Sequence, residues 1–150
     1  LIEKPTFNSY FTDNGIAHPD CINLSVAMDT EDGLLVPVID NADSLTLLEL
    51  ANTIRELSAS AQNNSLTLDQ LTGGTFTITN LGMYGIEQFT PVLNVPQGAI
   101  LGVGAVTSLN NDGIPSHTLQ LSLTIDHRVH DGVPAAKFLQ TLCKKLSDWE

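Results

Sequence analysis

The stretch Asp126-His127-Arg128-Val129-His130-Asp131-Gly132 gathers two imidazoles, two carboxylates and a guanidinium into seven residues. A histidine at a strand end with a carboxylate four residues on has what a general base needs. The imidazole titrates at about pH 6.5, and a nearby anion favours its protonated form. The alternation of Leu119, Leu121, Leu123 and Ile125, carried two residues further, puts His127 on the apolar face, so its ring is expected to point into packed structure. Spacing alone favours a satisfied core histidine, with Arg128 and Asp131 in ordinary ion pairs. Thr79 is the second candidate. It shares the polar face of a strand with Thr75 and Thr77, and that strand ends in a glycine-rich turn. Its hydroxyl could donate to a developing oxyanion, but a strand-face threonine is equally a good β-former. The glycines at 82 and 85 fit neither GxGxxG nor GxxxxGK[ST], so no nucleotide-phosphate loop is read.

Alternating and helical patterns supply the elements that must position these groups. Residues 22–28 place Ile22, Leu24, Val26 and Met28 on one side and Asn23 and Ser25 on the other. Glu31-Asp32-Gly33 is turn chemistry and 34–39 returns, which predicts one hairpin with Pro37 at an edge or bulge. Leu47, Leu50, Ile54, Leu57 and Ala61 make a helical stripe, opened by a capping-box spacing of Thr46 and Glu49. Thr67 and Gln70 repeat that spacing in a short turn. Gly73-Gly74 then leads into the strand 75–79, residues 99–106 read as a buried strand, Asn110 to Gly113 as a long turn, and 118–125 as the last strand. A final helix is expected over 133–149, with Ala136, Leu139, Leu142 and Leu146 as its stripe, Asp131 as its cap and Pro134 in its first turn. The first twenty residues look irregular. This order predicts an α/β (α+β) chain with a mixed β-sheet and flanking helices.

Composition narrows the partners. A chain of 150 residues that is 42% apolar suits one domain with one core. Acids outnumber bases 17 to 6, for a net charge of −11, which argues against nucleic acid and anionic membrane as partners. No apolar run approaches the roughly 20 residues of a membrane span, and the opening residues lack the pattern of a signal peptide. Cys21 and Cys143 are expected as two buried or partly buried free thiols in a reducing compartment. Neither has ligand spacing with His18, His117, His127 or His130, so no metal is expected.

The decisive signal is a resemblance. DHRVHDG closely resembles the DHRxxDG motif of dihydrolipoyl acyltransferases, the core components of 2-oxoacid dehydrogenase complexes. GGTFTITNLGMYGIEQFTPVLNVPQGAILGVG, residues 73–104, looks like the family's other marked stretch, and VAMDTEDGLLVPVI, residues 26–39, is similar to the segment before its long helix. The motifs keep the family's order and spacing over nearly the whole chain. That is more specific than the HxxxDG shared with chloramphenicol acetyltransferases.

The resemblance implies a chloramphenicol-acetyltransferase-like fold. Residues 1–150 would form the C-terminal part of a single acyltransferase catalytic domain, N-terminally truncated relative to the family. His127 matches the family's catalytic histidine, Asp131 the carboxylate or amide after it, and Thr79 the hydroxyl held to stabilise the tetrahedral intermediate, usually a serine. His130 stands where the family usually has a small or branched apolar residue. The implied reaction moves an acyl group, acetyl above others, between a dihydrolipoyl group and coenzyme A. The lipoyl group would be carried on a lipoyl domain outside this sequence, and basic residues for the phosphates would also lie outside it. Implied partners are two further copies in a homotrimer that builds a multienzyme core, lipoyl domains, and the decarboxylase and dihydrolipoyl dehydrogenase components. The active site is expected between subunits. The implied location is cytoplasmic in a bacterium and the mitochondrial matrix or a plastid in a eukaryote. A non-catalytic core subunit is the alternative, against which the retention of His127 and the Thr79 hydroxyl argues.

Overall fold

The computed structural model describes residues 1–111 and 114–149. A first hairpin joins β1 (Tyr10–Thr12) to β2 (Gly15–Ala17). The strand β3 (Leu24–Val26) follows, then a second hairpin of β4 (Met28–Thr30) and β5 (Gly33–Leu35), and the short β6 (Val38–Ile39). The helix α1 (Leu47–Gln62) precedes β7 (Phe76–Asn80) and β8 (Ala99–Val103). A third hairpin pairs β9 (Thr107–Asn111) with β10 (Ile114–Thr118), and β11 (Leu121–Ile125) leads into α2 (Gly132–Ser147). Five strands make one sheet in the order β11-β8-β7-β3-β6. β7 runs parallel to both β3 and β8, while the two outer pairs are antiparallel. The mixed sheet with flanking helices is therefore as expected.

Several elements differ in detail. The single hairpin expected over 22–39 is two ladders. Val26 N–H donates to the Pro37 carbonyl at 2.9 Å and Ala27 N–H to the Ile78 carbonyl at 3.0 Å, after which the chain leaves the sheet and Met28 pairs with Leu35 instead. Pro37 adjoins β6, the edge strand, where a missing N–H breaks no ladder. The opening residues are not irregular throughout, because β1 and β2 turn back through Asp13-Asn14. Thr12 and Thr30 each donate their hydroxyl at 2.7 Å to the glycine carbonyl three residues on, and those glycines have φ of +113° and +122°. A Thr-x-x-Gly signature thus marks both tight turns, and glycine supplies the left-handed backbone. The strand expected over 118–125 breaks at Leu119-Gln120, where the Gln120 carbonyl accepts from Gly104 N–H at 2.9 Å. The long turn expected at 110–113 falls partly outside the described residues, and its flanks are β9 and β10.

Both helices cover one face of the sheet. Phe7, Phe76, Ala99, Leu101 and Phe138 form the core beneath α2, while Ile39, Ala42 and Leu57 form a second beneath α1. The Thr46–Glu49 capping box is present in full, and Thr67 and Gln70 reproduce it around a single 3-10 turn. The α1 stripe is buried only at its C-terminal end, since Leu57 and Ala61 are covered while Leu47 and Ile54 are exposed. On α2 the covered residues are Ala135, Phe138, Leu139 and Leu142; Leu139 and Leu142 are as expected, whereas Ala136 and Leu146 face out. Phe138 sets that register by stacking within 4.6 Å of the Phe7 ring and 6.0 Å of the Phe76 ring. Of the two free thiols, Cys21 is half-buried but Cys143 is exposed, because it falls on the outer side of α2. Among the described residues no helix is long and apolar enough to cross a membrane.

We expect Phe138→Ala to destabilise the fold by about 3–5 kcal/mol, the scale of a large core truncation. Ala136→Ser, on the exposed side, should stay within about 0.5 kcal/mol. Urea unfolding of both variants checks the assignment, and equal costs would refute this α2 register.

Candidate active site

Thr79 lies on the sheet face opposite the helices. Parallel pairing of β7 with β8 obliges residues 81–98 to carry the chain from one end of the sheet back to the other, and they do so across this face. Buried hydrogen bonds fix the crossing. Thr77 donates to the Gln97 side-chain oxygen at 2.5 Å, Gln97 Nε2 donates to Ser25 Oγ at 3.2 Å, and Thr124 donates to the Pro91 carbonyl at 2.7 Å. Ser25 and Thr77, on the polar side of their strands, are buried to about 1% exposure as a result. Glycine makes the crossing possible. A Cβ on Gly104 would sit 1.8 Å from the Glu87 carbonyl oxygen, and one on Gly82 would sit 2.6 Å from the Gly104 carbonyl oxygen. A Cβ on Gly102, beside Thr79 in the sheet, would press on Phe89 and Pro91. Thr79 itself is half-buried, and its hydroxyl makes no hydrogen bond among the described residues.

The loop between β11 and α2 builds the other half. The strand ends at Ile125, and the Asp126 carbonyl then accepts from both Val129 N–H and His130 N–H at 2.9 Å. His127 and Arg128 are the central residues of that turn, so the two-residue alternation stops short of His127. Its side chain is 75% exposed, contrary to the inward ring expected from strand register. Arg128 is held by two contacts. It makes a forked pair with the Asp126 carboxylate at 2.6–3.1 Å, and its guanidinium lies 4.0 Å from the centre of the Phe11 ring. Arg128 also keeps the Asp126 carboxyl below the usual carboxylate range, chiefly by those hydrogen bonds.

Asp131 occupies the N-cap position of α2, but its side chain makes no capping bond. It turns to His127, with Oδ1 3.7 Å from Nδ1, which is beyond a hydrogen bond and suited to stabilising an imidazolium through space. The residue that sequence reading left unexplained, His130, points inward. It is 6% exposed, stacked on Phe7 with ring centres 4.3 Å apart, and 3.4 Å from Ser9 Oγ. Burial, with a smaller push from His18, lowers its pKa, and Asp126 opposes this in part.

His127 and Asp131 thus come together, and Thr79 does not join them. Thr79 pairs with Gly102, whereas Ile125 pairs with Ala99 on the other side of β8, and His127 lies further along still. Three residues along the strand and two strand spacings across put them at least about 14 Å apart. Two clefts in the chain, one lined by Leu1, Lys4 and Phe138 and one by Ser25, Asn94 and Gln97, contain none of the three residues. Among the described residues no three His, Cys, Asp or Glu side chains are grouped as metal ligands. Of the six basic residues, Arg128 and Lys145 are engaged with Asp126 and Glu3.

Known proteins match this architecture along its length. The family of 2-oxoacid dehydrogenase acyltransferases (catalytic domain) matches residues 1–150. The acetyltransferase component of the pyruvate dehydrogenase complex of Acholeplasma laidlawii is 44% identical over 99% of this chain, which spans 28% of that protein. The acetyltransferase component of the acetoin cleaving system of Bacillus subtilis is 42% identical over 99% of the chain and 38% of its own length. A solved dihydrolipoamide acetyltransferase of Azotobacter vinelandii superposes with a TM-score of 0.94 at 41% identity, covering 99% of this chain and 63% of that one. That structure comes from an investigation of a serine, a histidine and an asparagine in the catalytic mechanism. A chloramphenicol acetyltransferase, at 16% identity and a TM-score of 0.57, shares the fold alone.

We expect Gly104→Ala to dislodge the 81–98 crossing and cost about 1–3 kcal/mol, since a backbone carbonyl occupies the space its Cβ needs. Gly85→Ala, where a Cβ meets nothing within 4 Å and only the φ of +77° is strained, should cost less. Thermal unfolding of the pair measures the difference, and a neutral Gly104→Ala would contradict the crossing described here.

Proposed function

The chain belongs to the 2-oxoacid dehydrogenase acyltransferase family, and from that premise we propose that it supplies the two halves of an acyltransferase site which closes only between neighbouring copies. The observation that carries this reading is the separation of His127 from Thr79 at opposite ends of the sheet, each near the surface and neither lining the two clefts described above. A head-to-tail ring, with the His127 end of one copy against the Thr79 end of the next, brings them together three times in a trimer. The histidine and asparagine named for the Azotobacter enzyme stand four residues apart, as His127 and Asp131 do.

In this site His127 takes the proton of the coenzyme A thiol, whose ordinary pKa of about 8.5 leaves it mostly protonated at neutral pH. With Nδ1 towards Asp131, Nε2 is the atom left for that proton. The freed sulfur attacks the carbonyl carbon of an acyl-dihydrolipoyl thioester. Thr79 of the neighbouring copy donates its hydroxyl to the oxyanion that forms. Collapse expels the dihydrolipoyl sulfur, and His127 returns the proton to it. Asp131 stabilises the imidazolium between those transfers. The acetyl group is favoured because relatives at 44% and 42% identity are acetyltransferases, while a yeast succinyltransferase component is 39% identical. Two of the chain's six basic residues are already paired, which leaves few cations for the phosphates of coenzyme A. Lipoyl domains and the decarboxylase and dihydrolipoyl dehydrogenase components are the partners this reaction requires.

His127→Ala should lower acyl transfer by orders of magnitude with the fold intact. Thr79→Val should lower it by about two orders, and Thr79→Ser should be close to neutral. Assemblies formed from a mixture of His127→Ala and Thr79→Val chains should recover up to about a quarter of wild-type turnover, because that share of interfaces pairs an intact His127 with an intact Thr79. Thiol release from acetyl-coenzyme A measures all three. No recovery in mixed assemblies would remove the shared site, and full activity of His127→Ala would remove His127 from the mechanism.

A further inference from the structure

The turn that presents His127 is anchored from below by a second histidine to which no role is assigned. Asp126 N–H donates to the Gly98 carbonyl at 2.8 Å, Gly98 N–H to the Ser9 carbonyl at 2.7 Å, and His130 N–H to the Asp126 carbonyl at 2.9 Å. Three segments, 7–9, 97–98 and 126–130, therefore meet around the His130 ring. Phe7 covers one face of that ring, with planes 11° from parallel. Gly98 leaves room for its edge, since a Cβ there would stand 3.0 Å from Nε2.

The hydrogen bonds fix the tautomer. Ser9 Oγ donates to the Thr6 carbonyl at 2.7 Å, so towards His130 it can only accept, and the proton sits on Nε2. Among the described residues nothing accepts from Nδ1. A proton added there is disfavoured chiefly by the burial of the ring, which is 6% exposed.

The charged and titratable groups facing His130 are His18, Asp126 and, beyond it, Arg128 over Phe11. His18 disfavours the added charge. Asp126 favours it but is already committed to Arg128 in a forked pair. From α2, Phe138 reaches the cluster only through Phe7 and brings no charge.

We propose that His130 is a positioning residue for His127, which holds the 126–131 turn in its catalytic geometry only while its own buried ring is neutral. This rests on the acyltransfer reading for its consequence but not for its mechanism. Acidification then acts twice. His127 must lose a proton to act as base, and His130 must remain unprotonated for the turn to stay seated. The acid limb of the kcat/KM profile should steepen from a slope near one proton towards about two as His130 also protonates.

Two variants that do not titrate separate the roles. His130→Gln keeps a donor near Ser9, and His130→Val fills the space beside Phe7 with an apolar side chain. Whatever their turnover at pH 8, both should hold a one-proton slope throughout the acid limb. A second measurement is independent of any activity. In the assembled protein, hydrogen–deuterium exchange of the peptide spanning 126–131, corrected for the intrinsic pH dependence of exchange, should lose protection on acidification in wild type and retain it in His130→Gln.

Slopes that steepen equally in wild type and in the variants would overturn the proposal. So would wild-type protection of 126–131 that does not change with pH, a result that decides the matter even if neither variant folds. Loss of protection with no detectable acyl transfer would leave the buried-ring anchor standing and refute the acyltransfer reading instead.

Discussion

The register of three strands governs this molecule. β7 lies parallel to β8 with Thr79 opposite Gly102, and β11 lies antiparallel to β8 with Ile125 opposite Ala99. These two alignments send the C-terminal end of β7 and the C-terminal end of β11 in opposite directions. Whatever chemistry each end carries is then kept apart within one chain. The same parallel pairing forces a long return between β7 and β8, because parallel strands cannot be joined by a tight turn.

That return explains residues that would otherwise look misplaced. A sheet covered by helices on one face usually leaves the other to water, and the threonines of β7 suit such a face. Here the return lies on it, so Ser25, Thr77 and Gln97 are buried and must satisfy one another. Among the described residues no buried side-chain polar atom lacks a partner. The glycines at 82, 102 and 104 belong to the same requirement, since each stands where the crossing backbone or its side chains come within van der Waals contact.

The loop after β11 shows how a short motif divides its labour. Asp126 and Arg128 lock each other, Arg128 rests on Phe11, and His130 drops into the core against Phe7. His127 and Asp131, exposed as Arg128 is, take no part in those contacts. The acidic surplus of the chain fits this division: the strongest of its basic contacts are spent on internal carboxylates.

The sequence by itself determined the family, the mixed sheet with flanking helices, the capping box at Thr46 and the candidate trio His127, Asp131 and Thr79. Each is local: a motif of fixed spacing, a period of two or 3.6, or a reciprocal pair three residues apart. The tertiary structure decided what depends on contacts between distant segments. The turn at Asp126 rotated His127 outward and His130 inward, because backbone hydrogen bonds to the Asp126 carbonyl end the alternation that strand register would have continued. Phe138 centred the buried face of α2 on itself, keeping Leu139 and Leu142 covered but leaving Ala136 and Leu146 outside, because its ring packs on Phe7 and Phe76. Residues 28–35 left the main sheet as a ribbon of their own, a choice set by which carbonyls Val26 and Ala27 could reach. The distance between Thr79 and His127 was invisible in sequence for the same physical reason. It is fixed by strand order and direction, and these follow from packing across the whole sheet rather than from any residue's own preference.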